Sequence, residues 1–408
     1  MRRSKMDTGM ARTCRITFAS AAALIAVVFC INLFLCGKDT SRTLKAGFVY
    51  VGDASTAYTN NFVKAMEAIE KQYEGQVETV SEYNVSENNI EEALERLVAA
   101  GCGIIFTTSF GYGEKTKEFA MDYPEIQFCQ ATCSNANEEP VLSNYHTFMG
   151  SIYQGRYICG VVAGMKLKEL IEQGRITKEQ AKAGYVGAYP YAEVISGYTS
   201  FFLGIRSIVP EATMTVRYTN TWGNHILEKK CAKKLIDEGC VIISQHSDTC
   251  GPAEACEETE QSEVVYYVSY NESMADIAPT TYLTGSKINW TIYMAEAVGA
   301  VLYGKNIEKC IKGNINGNDA GAGFENDWVK MLGINEFTAA EGTKERVDSL
   351  VNDFKHNRIQ VFKGEYTGVN PENPSDTIDL REGFKENGKS SAPVFNYILD
   401  DVITVEQD

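Results

Sequence analysis

At 408 residues, 44% hydrophobic and 23% charged, the chain has the composition of an ordinary soluble globular protein with core enough for two or three domains. Its formal net charge is −16, and residues 1–36 hold Arg2, Arg3, Lys5, Arg12 and Arg15 against Asp7, which leaves −20 on the rest. A body this acidic, with no arginine–lysine stripe, excludes nucleic acid as a partner, because its phosphates would be repelled.

In chain order, the first element is an export-type leader, residues 1–36. Basic residues precede the run "ITFASAAALIAVVFCINLFLC" (Ile16 to Cys36), the order of a basic n-region and an apolar h-region. The run is long enough to span a bilayer. It ends in "LFLCGKDTS", similar to a bacterial lipobox with Leu33 three places before Cys36, the expected lipid-attachment residue; Leu35 stands where a small residue is usual. Cleavage with lipidation of Cys36, or an uncleaved N-terminal anchor, both place the body outside the cytoplasm and tethered to a membrane.

After a polar spacer, residues 37–43, strand-like and helix-like runs alternate. KAGFVYV (45–51), VETVSEY (77–83), CGIIFTT (102–108) and IQFCQAT (126–132) read as strands. Between them, apolar residues at three- and four-residue spacing predict helices over 59–73, 88–99 and 114–122. A long helical run, "YQGRYICGVVAGMKLKELIEQG", follows. The pattern then restarts with strands at 183–189, 213–219, 240–244 and 263–270, and helices ending near Ile208, over 225–238 and near 252–259. Such alternation reads as a parallel sheet covered by helices.

The restart is a literal repeat. Lys45-Ala46-Gly47-Phe48-Val49 returns as Lys182-Ala183-Gly184-Tyr185-Val186, and Gly101-Cys102-Gly103-Ile104-Ile105 returns as Gly239-Cys240-Val241-Ile242-Ile243 at nearly the same offset. The α/β chain is therefore read as two similar Rossmann-like lobes. Beyond them, "GNINGNDAGAGF" (313–324) reads as a turn-rich connection, "TKERVDSLVNDFKHNRIQVFKG" as a helix then a strand, and "GVNPENPSDTIDL" as a turn cluster. Of twelve cysteines, three lie in the leader; Cys129 with Cys133, and Cys250 with Cys256, are spaced as disulfide candidates, with buried free thiols as the plainer reading. Neither pair has the further ligands of a zinc site.

Ligands of open α/β sheets bind beyond the carboxyl ends of the strands. Those ends offer Asp53, Tyr58, Asn60 and Asn61 after the first strand, and Phe110 and Tyr112 in the loop FGYG. In the second lobe they offer Trp222, Asp248, Asn271 and Glu272, with Lys287 beyond. Rings with amides and carboxylates recognise a planar, hydrogen-bonding ligand, each ring–base stack contributing roughly 1–3 kcal/mol. Singly, each has a duller role: Asp53 and Asp248 as caps, Trp222 and Phe110 as packing, Lys287 as a solvated cation. The chain has no G-x-S-x-G, no H-E-x-x-H and no phosphate loop, and its four histidines are scattered. It is read as a binding protein, not an enzyme, with no cofactor and no metal.

The ordered series "AGFVYVGD", "GCGIIFTTSFGYGEKTKEFAMDYPEIQF", "YQGRYICGVVAG", "GYVGAYPYAEVISGYTSFFLGIRSIVPEA", "YTNTWGN" and "LIDEGCVIISQHSD" resembles the basic membrane protein family over about residues 44–305. These are extracytoplasmic substrate-binding lipoproteins of ABC importers, purine nucleoside receptors among them. The resemblance implies a type I periplasmic-binding-protein fold, two lobes joined by three crossovers and closing about a hinge onto a cleft. The lobes are expected to be 44–150 plus about 283–308, and 151–282 plus about 309–408. In nucleoside-binding members two aromatics sandwich the purine, matching Tyr58 and Trp222. A first-loop acid or amide reads the base, matching Asp53 or Asn60; an aspartate and a lysine hold the ribose, matching Asp248 and Lys287. This chain departs in reading Ala57-Tyr58-Thr59-Asn60 where Ser-Phe-Asn is usual, and its lysine is displaced by one residue. Members closer in "TTSFGYG" and "TNTW" take a free base, so a purine nucleoside or base is the implied ligand and an importer permease the implied partner. Riboflavin or a sugar as ligand, and a membrane-tethered sensor feeding a signalling partner, are the alternatives.

Overall fold

The computed structural model, which describes residues 42–260 and 264–406, places the two Lys-Ala-Gly-aromatic-Val segments inside two parallel sheets, in β1 (Leu44–Val49) and β6 (Lys182–Gly187). A Cβ added at Gly47 would lie 3.0 Å from Leu97 Cδ1 and 3.1 Å from Cys102 Sγ; at Gly184 it would lie 2.9 Å from Leu235 Cβ and 3.2 Å from Cys240 Cβ. Leu97 and Leu235, like Cys102 and Cys240, stand at the repeat's offset. The repeat is thus one piece of packing used twice, a helix end and a buried thiol pressed on a strand too closely for a side chain.

The remaining strands are β2 (Val77–Glu82), β3 (Ile104–Thr107), β4 (Gln127–Ala131), β5 (Tyr145–Gly150), β7 (Thr213–Tyr218), β8 (Ile242–His246), β9 (Tyr266–Tyr270), β10 (Tyr282–Ile288), β11 (Asn314–Asn316), β12 (Asp319–Ala322), β13 (Val329–Met331), β14 (Thr367–Asn370), β15 (Asn373–Asp379), β16 (Ile398–Leu399) and β17 (Ile403–Glu406). The helices are α1 (Ala57–Gln72), α2 (Ile90–Ala99), α3 (Gly113–Asp122), α4 (Tyr153–Glu172), α5 (Ala192–Arg206), α6 (His225–Asp237), α7 (Gly251–Glu257), α8 (Thr291–Leu302) and α9 (Thr343–Lys355). The first sheet runs β11-β12-β5-β4-β3-β1-β2 and the second β13-β10-β9-β8-β6-β7-β17. Within these two sheets the pairings are parallel except β11–β12 and β10–β13. Both sheets reverse direction of growth beside their first strand, at β1/β3 and at β6/β8, the switch point where open α/β sheets leave a crevice.

The chain passes between these two sheets three times, after β5, after β10 and after β12. Two lobe boundaries differ from the sequence expectation. Residues 283–288, assigned to the first lobe, form most of β10, which pairs with β9 of the second sheet; α8 then packs on α1, with Trp290 stacked on Phe62 at 4.3 Å. Residues 314–322, assigned to the second lobe as a turn-rich connection, are a hairpin that extends the first sheet beside β5. Glycine, alanine and asparagine have low strand propensity, so the segment reads as loop; Gly317 at φ +59° makes its tight turn, and Asp319, buried, ties it down through Thr147 Oγ1 (2.8 Å) and the Ser391 amide (2.6 Å).

Three further expectations are corrected. β5 went unpredicted, although its six residues are all buried. The segment after α9 forms no strand; its apolar Val361 and Phe362 are buried as a plug, Phe362 stacked on Phe395 at 4.4 Å. The turn cluster at 368–380 is the β14–β15 hairpin of a small third sheet. Cys129, Cys133, Cys250 and Cys256 are free thiols. Among the described residues no helix is long and apolar enough to cross a membrane; the leader and Cys36 lie outside those residues.

Candidate functional site

The two switch points face one another across a cleft. Its first-lobe wall begins at the end of β1 with Val51 and continues into the first turn of α1, where Tyr58 lines the cavity. The Tyr58 hydroxyl donates to the Thr108 carbonyl and its ring meets Phe62 edge-on at 5.2 Å. Burial raises the Tyr58 phenol well above its ordinary range, with the Glu193 and Asp248 carboxylates adding to the effect. The end of β3 supplies Ser109 and Phe110. Glu87 holds that turn, accepting from Ser109 Oγ at 2.6 Å and the Gly111 amide at 2.9 Å. Phe110, half exposed, sits 5.6 Å from Tyr191 of the opposite lobe.

The second-lobe wall starts after β6. Tyr189 and Tyr191 stack at 5.1 Å, and both contact Trp222, at 5.3 and 6.1 Å. The Trp222 indole N–H is buried without a hydrogen-bond partner, a cost of about 1–3 kcal/mol that a ligand acceptor would remove. At the end of β8, His246 Nε2 is 3.3 Å from Glu193 Oε1, and its ring lies 4.4 Å from that of Tyr270 at the end of β9. Gly197 permits this, since a Cβ there would lie 2.6 Å from His246 Nδ1.

Asp248 lines the cavity between these groups and is almost fully buried. Its amide donates to the Trp222 carbonyl at 3.0 Å, and its carbonyl accepts from the Ala57 amide of the first lobe at 3.1 Å. The loop is braced by fully buried Glu228, which accepts from the Asn224 amide (2.9 Å), Ser247 Oγ (2.8 Å) and the Thr249 amide (3.0 Å). Burial, then Glu228 and Glu193, raises the Asp248 carboxyl well above its usual range.

Backbone strain marks the same place in each lobe. Thr132, just past β4, and Asn271, just past β9, are both at φ +66°. A β-branched residue there is an outlier that persists only where its surroundings impose it. Each amide is held by the next strand, Thr132 by the Phe148 carbonyl (3.2 Å) and Asn271 by that of Ser286 (3.0 Å).

Of the residues expected from sequence, Tyr58, Phe110, Trp222 and Asp248 come together on the cavity. Asn271 is buried beside it in sequence from Tyr270, its Nδ2 without a partner. Asp53 does not line the cavity: it turns its own loop, accepting from the Ser55 amide at 2.9 Å and from Asn84 Nδ2 at 3.2 Å, and these bonds, Ser55 Oγ first, lower its carboxyl. Asn60 bridges the lobes instead, donating to Glu272 Oε1 at 2.7 Å, where Lys64 also pairs. Lys287 reaches Asn61 Oδ1 at 3.4 Å, and burial, with Lys64 nearby, lowers its ammonium. Tyr112 is core: fully buried, it donates to the Val85 carbonyl at 2.6 Å beneath the FGYG loop, two residues on from Phe110 in a 3₁₀ turn whose three residues per turn aim the two rings in different directions. Sequence reasoning missed Thr132, Glu193, His246 and Tyr270, which line the cavity, and Tyr191, which packs beside Phe110 and Trp222. The signal was present for Tyr191, since "AYPYAE" follows β6 as "GDASTAYT" follows β1 in the repeat.

The cavity enclosed by these walls measures about 20 Å³, the space of a single water. Its lining is rings, hydroxyls, an imidazole and two carboxylates, with no lysine or arginine. It offers acceptors and flat apolar faces, and repels anions.

A family model described as ABC transporter substrate-binding protein, PnrA-like, matches residues 44–349. A purine-binding protein of Brucella abortus (strain 2308) is 32% identical over 263 residues, 64% of this chain and 69% of that one. A protein of Haloferax volcanii, provisionally named as an ABC transporter glucose-binding protein, is 28% identical over 331 residues, 80% of this chain and 76% of that one. Among solved structures, an ABC transporter solute-binding protein from Conexibacter woesei superposes with a TM-score of 0.58 at 14% identity, covering 78% of this chain and 98% of that one. That likeness concerns the fold.

Proposed function

The chain belongs to the PnrA-like family of ABC transporter substrate-binding proteins, and from that premise we propose that it captures a purine nucleoside or purine base between its lobes. As such a substrate-binding protein it works outside the cytoplasm, takes a small molecule, hands it to a permease and makes or breaks no bond. The observation that carries the ligand assignment is the composition of the cleft: Tyr58 and Phe110 from one lobe oppose Trp222 and Tyr191 from the other, over Asp248 and Glu193. Facing rings stack on a flat heterocycle. The carboxylates accept from exocyclic N–H groups or from a ribose diol, and exclude phosphate. The relative named for purine binding supports the same reading.

A cavity of about 20 Å³ is too small for a ring, so loading requires the lobes to part and close again, a hinge motion of the kind binding proteins use. Membrane attachment through Cys36 belongs to this proposal and is tested by metabolic labelling with a fatty acid in the wild type and in Cys36→Ser.

A pyranose, stacked on the same rings with its hydroxyls on the same carboxylates, is the second reading, favoured by the relative named for glucose. Calorimetric titration of the purified chain, unfolded and refolded to remove carried-over ligand, decides between them. The panel is adenosine, guanosine, inosine, adenine, hypoxanthine, riboflavin, ribose and glucose. Tight binding of nucleosides or bases with glucose silent is the expected result; the reverse assigns a sugar, and silence from every purine overturns the proposal.

A further inference from the structure

We propose that His225, Cys250 and Glu254 form a site for a borderline-soft divalent cation of the zinc class in the second lobe. His225 opens α6, Cys250 immediately precedes α7, and Glu254 lies within α7. Their donor atoms all fall within 4.8 Å of one another. His225 Nε2 is 3.0 Å from Glu254 Oε2, and Cys250 Sγ is 3.5 Å from Glu254 Oε1. Tetrahedral coordination at the usual Zn–S, Zn–N and Zn–O lengths sets donor atoms about 3.3–3.6 Å apart, so the ion fits among these atoms after small side-chain shifts.

The juxtaposition is built into the packing. A Cβ on Gly251 would lie 2.6 Å from the His225 carbonyl and 2.9 Å from the Lys229 amide, so only glycine lets the start of α7 press on the first turn of α6. A simple ion cluster accounts for part of the arrangement, because Lys229 Nζ also lies 2.9 Å from Glu254 Oε2. It does not account for a half-buried thiol turned onto the same carboxylate. Lys229 has a second partner, Glu258 Oε1 at 2.6 Å, to which it retires when the ion arrives. Thiolate, imidazole and carboxylate together select zinc over calcium or magnesium, which prefer all-oxygen shells. Three protein ligands leave a fourth position for water, and the thiol gives its proton to solvent on binding.

The site would stiffen the cleft. Trp222 lies three residues before His225 and Asp248 two before Cys250, so one ion would clamp together the two loops that form the second-lobe wall.

The test uses the purified full chain, reduced and freed of metal by a chelator, titrated with zinc against a chromophoric chelator and separately with cobalt(II). One zinc per chain is expected, and the cobalt complex should show a thiolate charge-transfer band. His225→Ala, Cys250→Ser and Glu254→Gln, with folding checked by circular dichroism, should each weaken zinc at least about tenfold, since even outer partners of a metal ligand are worth that much. Cys310→Ser, which removes a half-buried thiol elsewhere, should leave binding unchanged, and Lys229→Gln, which removes the competing ammonium, should tighten it. Absence of stoichiometric uptake, a cobalt spectrum without the thiolate band, or unchanged affinity in Cys250→Ser would overturn the proposal.

Discussion

Asp248 and Trp222 each carry a physical signature beyond their position: a carboxyl driven up by burial and neighbouring carboxylates, and an indole N–H buried without a partner. Trp222→Ala should cost roughly 1–3 kcal/mol of ligand affinity, the worth of one ring–base stack, with little loss of melting temperature because the ring is only partly buried against the core. Titration and thermal melting of the same variant check this; a stability loss as large as the affinity loss would make the ring a packing residue. Asp248 gives a pH signature. Its pKa in the closed fold lies above the ordinary 3.8, so the folded chain holds that proton more tightly than the unfolded one. The contribution of Asp248 to the stability of the unliganded closed form is therefore greatest at acid pH and is lost as pH rises through the window above 3.8. Asp248→Asn removes that contribution, and its melting temperature should gain on the wild type as pH rises above 3.8. Parallel melting curves would mean the carboxyl is solvated, and the lobes apart, in the unliganded chain.

The strand ends at which Thr132 and Asn271 sit bear on a trade between stability and binding. Thr132 at φ +66° costs about 1–2 kcal/mol in the left-handed region; its Oγ1 donates to the neighbouring Ala131 carbonyl at 2.7 Å and also interacts with the Tyr58 hydroxyl in the cavity wall. Thr132→Gly should raise stability by about 1 kcal/mol in denaturant melts, less the entropy glycine adds to the unfolded chain, while weakening ligand binding by removing a wall of the cavity. A variant that loses stability would show the side chain to be structural. The same elements mark how far sequence carries. The repeat was legible because Gly47 and Gly184, and the Leu and Cys pairs against them, are fixed by contact, leaving a spacing that survives in the letters. The cleft was half legible: Tyr58, Phe110, Trp222 and Asp248 follow strands whose apolar runs announce their ends. Glu193 and Thr132 were hidden because a carboxylate on a helix's first turn looks like a cap, and backbone strain has no letter. Tyr112 misled because the single 3₁₀ turn from Phe110 to Tyr112 turns its two rings apart, one to the cleft and one to the core. The β11–β12 hairpin was hidden because glycine and asparagine form a strand there only through pairing with β5, and the His225–Cys250–Glu254 cluster because its members are brought together by Gly251 and not by spacing.

At the scale of the molecule, function requires two states. The closed arrangement is stitched across the cleft by the Ala57–Asp248 backbone bond and the Asn60–Glu272 and Lys64–Glu272 pairs. Each is polar and modest, the exposed ion pair being worth about 0.2–1 kcal/mol, so the closed state holds without becoming a trap. Thr56 and Gly223 face one another at the same seam: a Cβ on Gly223 would lie 3.9 Å from Thr56 Cγ2 and 3.7 Å from Asp248 Cβ. Thr56→Cys with Gly223→Cys therefore places two thiols at close to disulfide reach, on opposite lobes. Oxidised before exposure to ligand, the double variant should be locked with its cavity too small to admit a ring, and should bind nothing; reduction should restore binding to near the wild-type level. Cross-linked after loading, it should retain ligand through dialysis and release it only when reduced. Mass spectrometry verifies the bond, and equilibrium dialysis with and without reductant reads the outcome. If the cross-linked empty chain takes up ligand at the wild-type rate, the ligand reaches its site without parting the lobes, and the interlobe cleft is not where it binds.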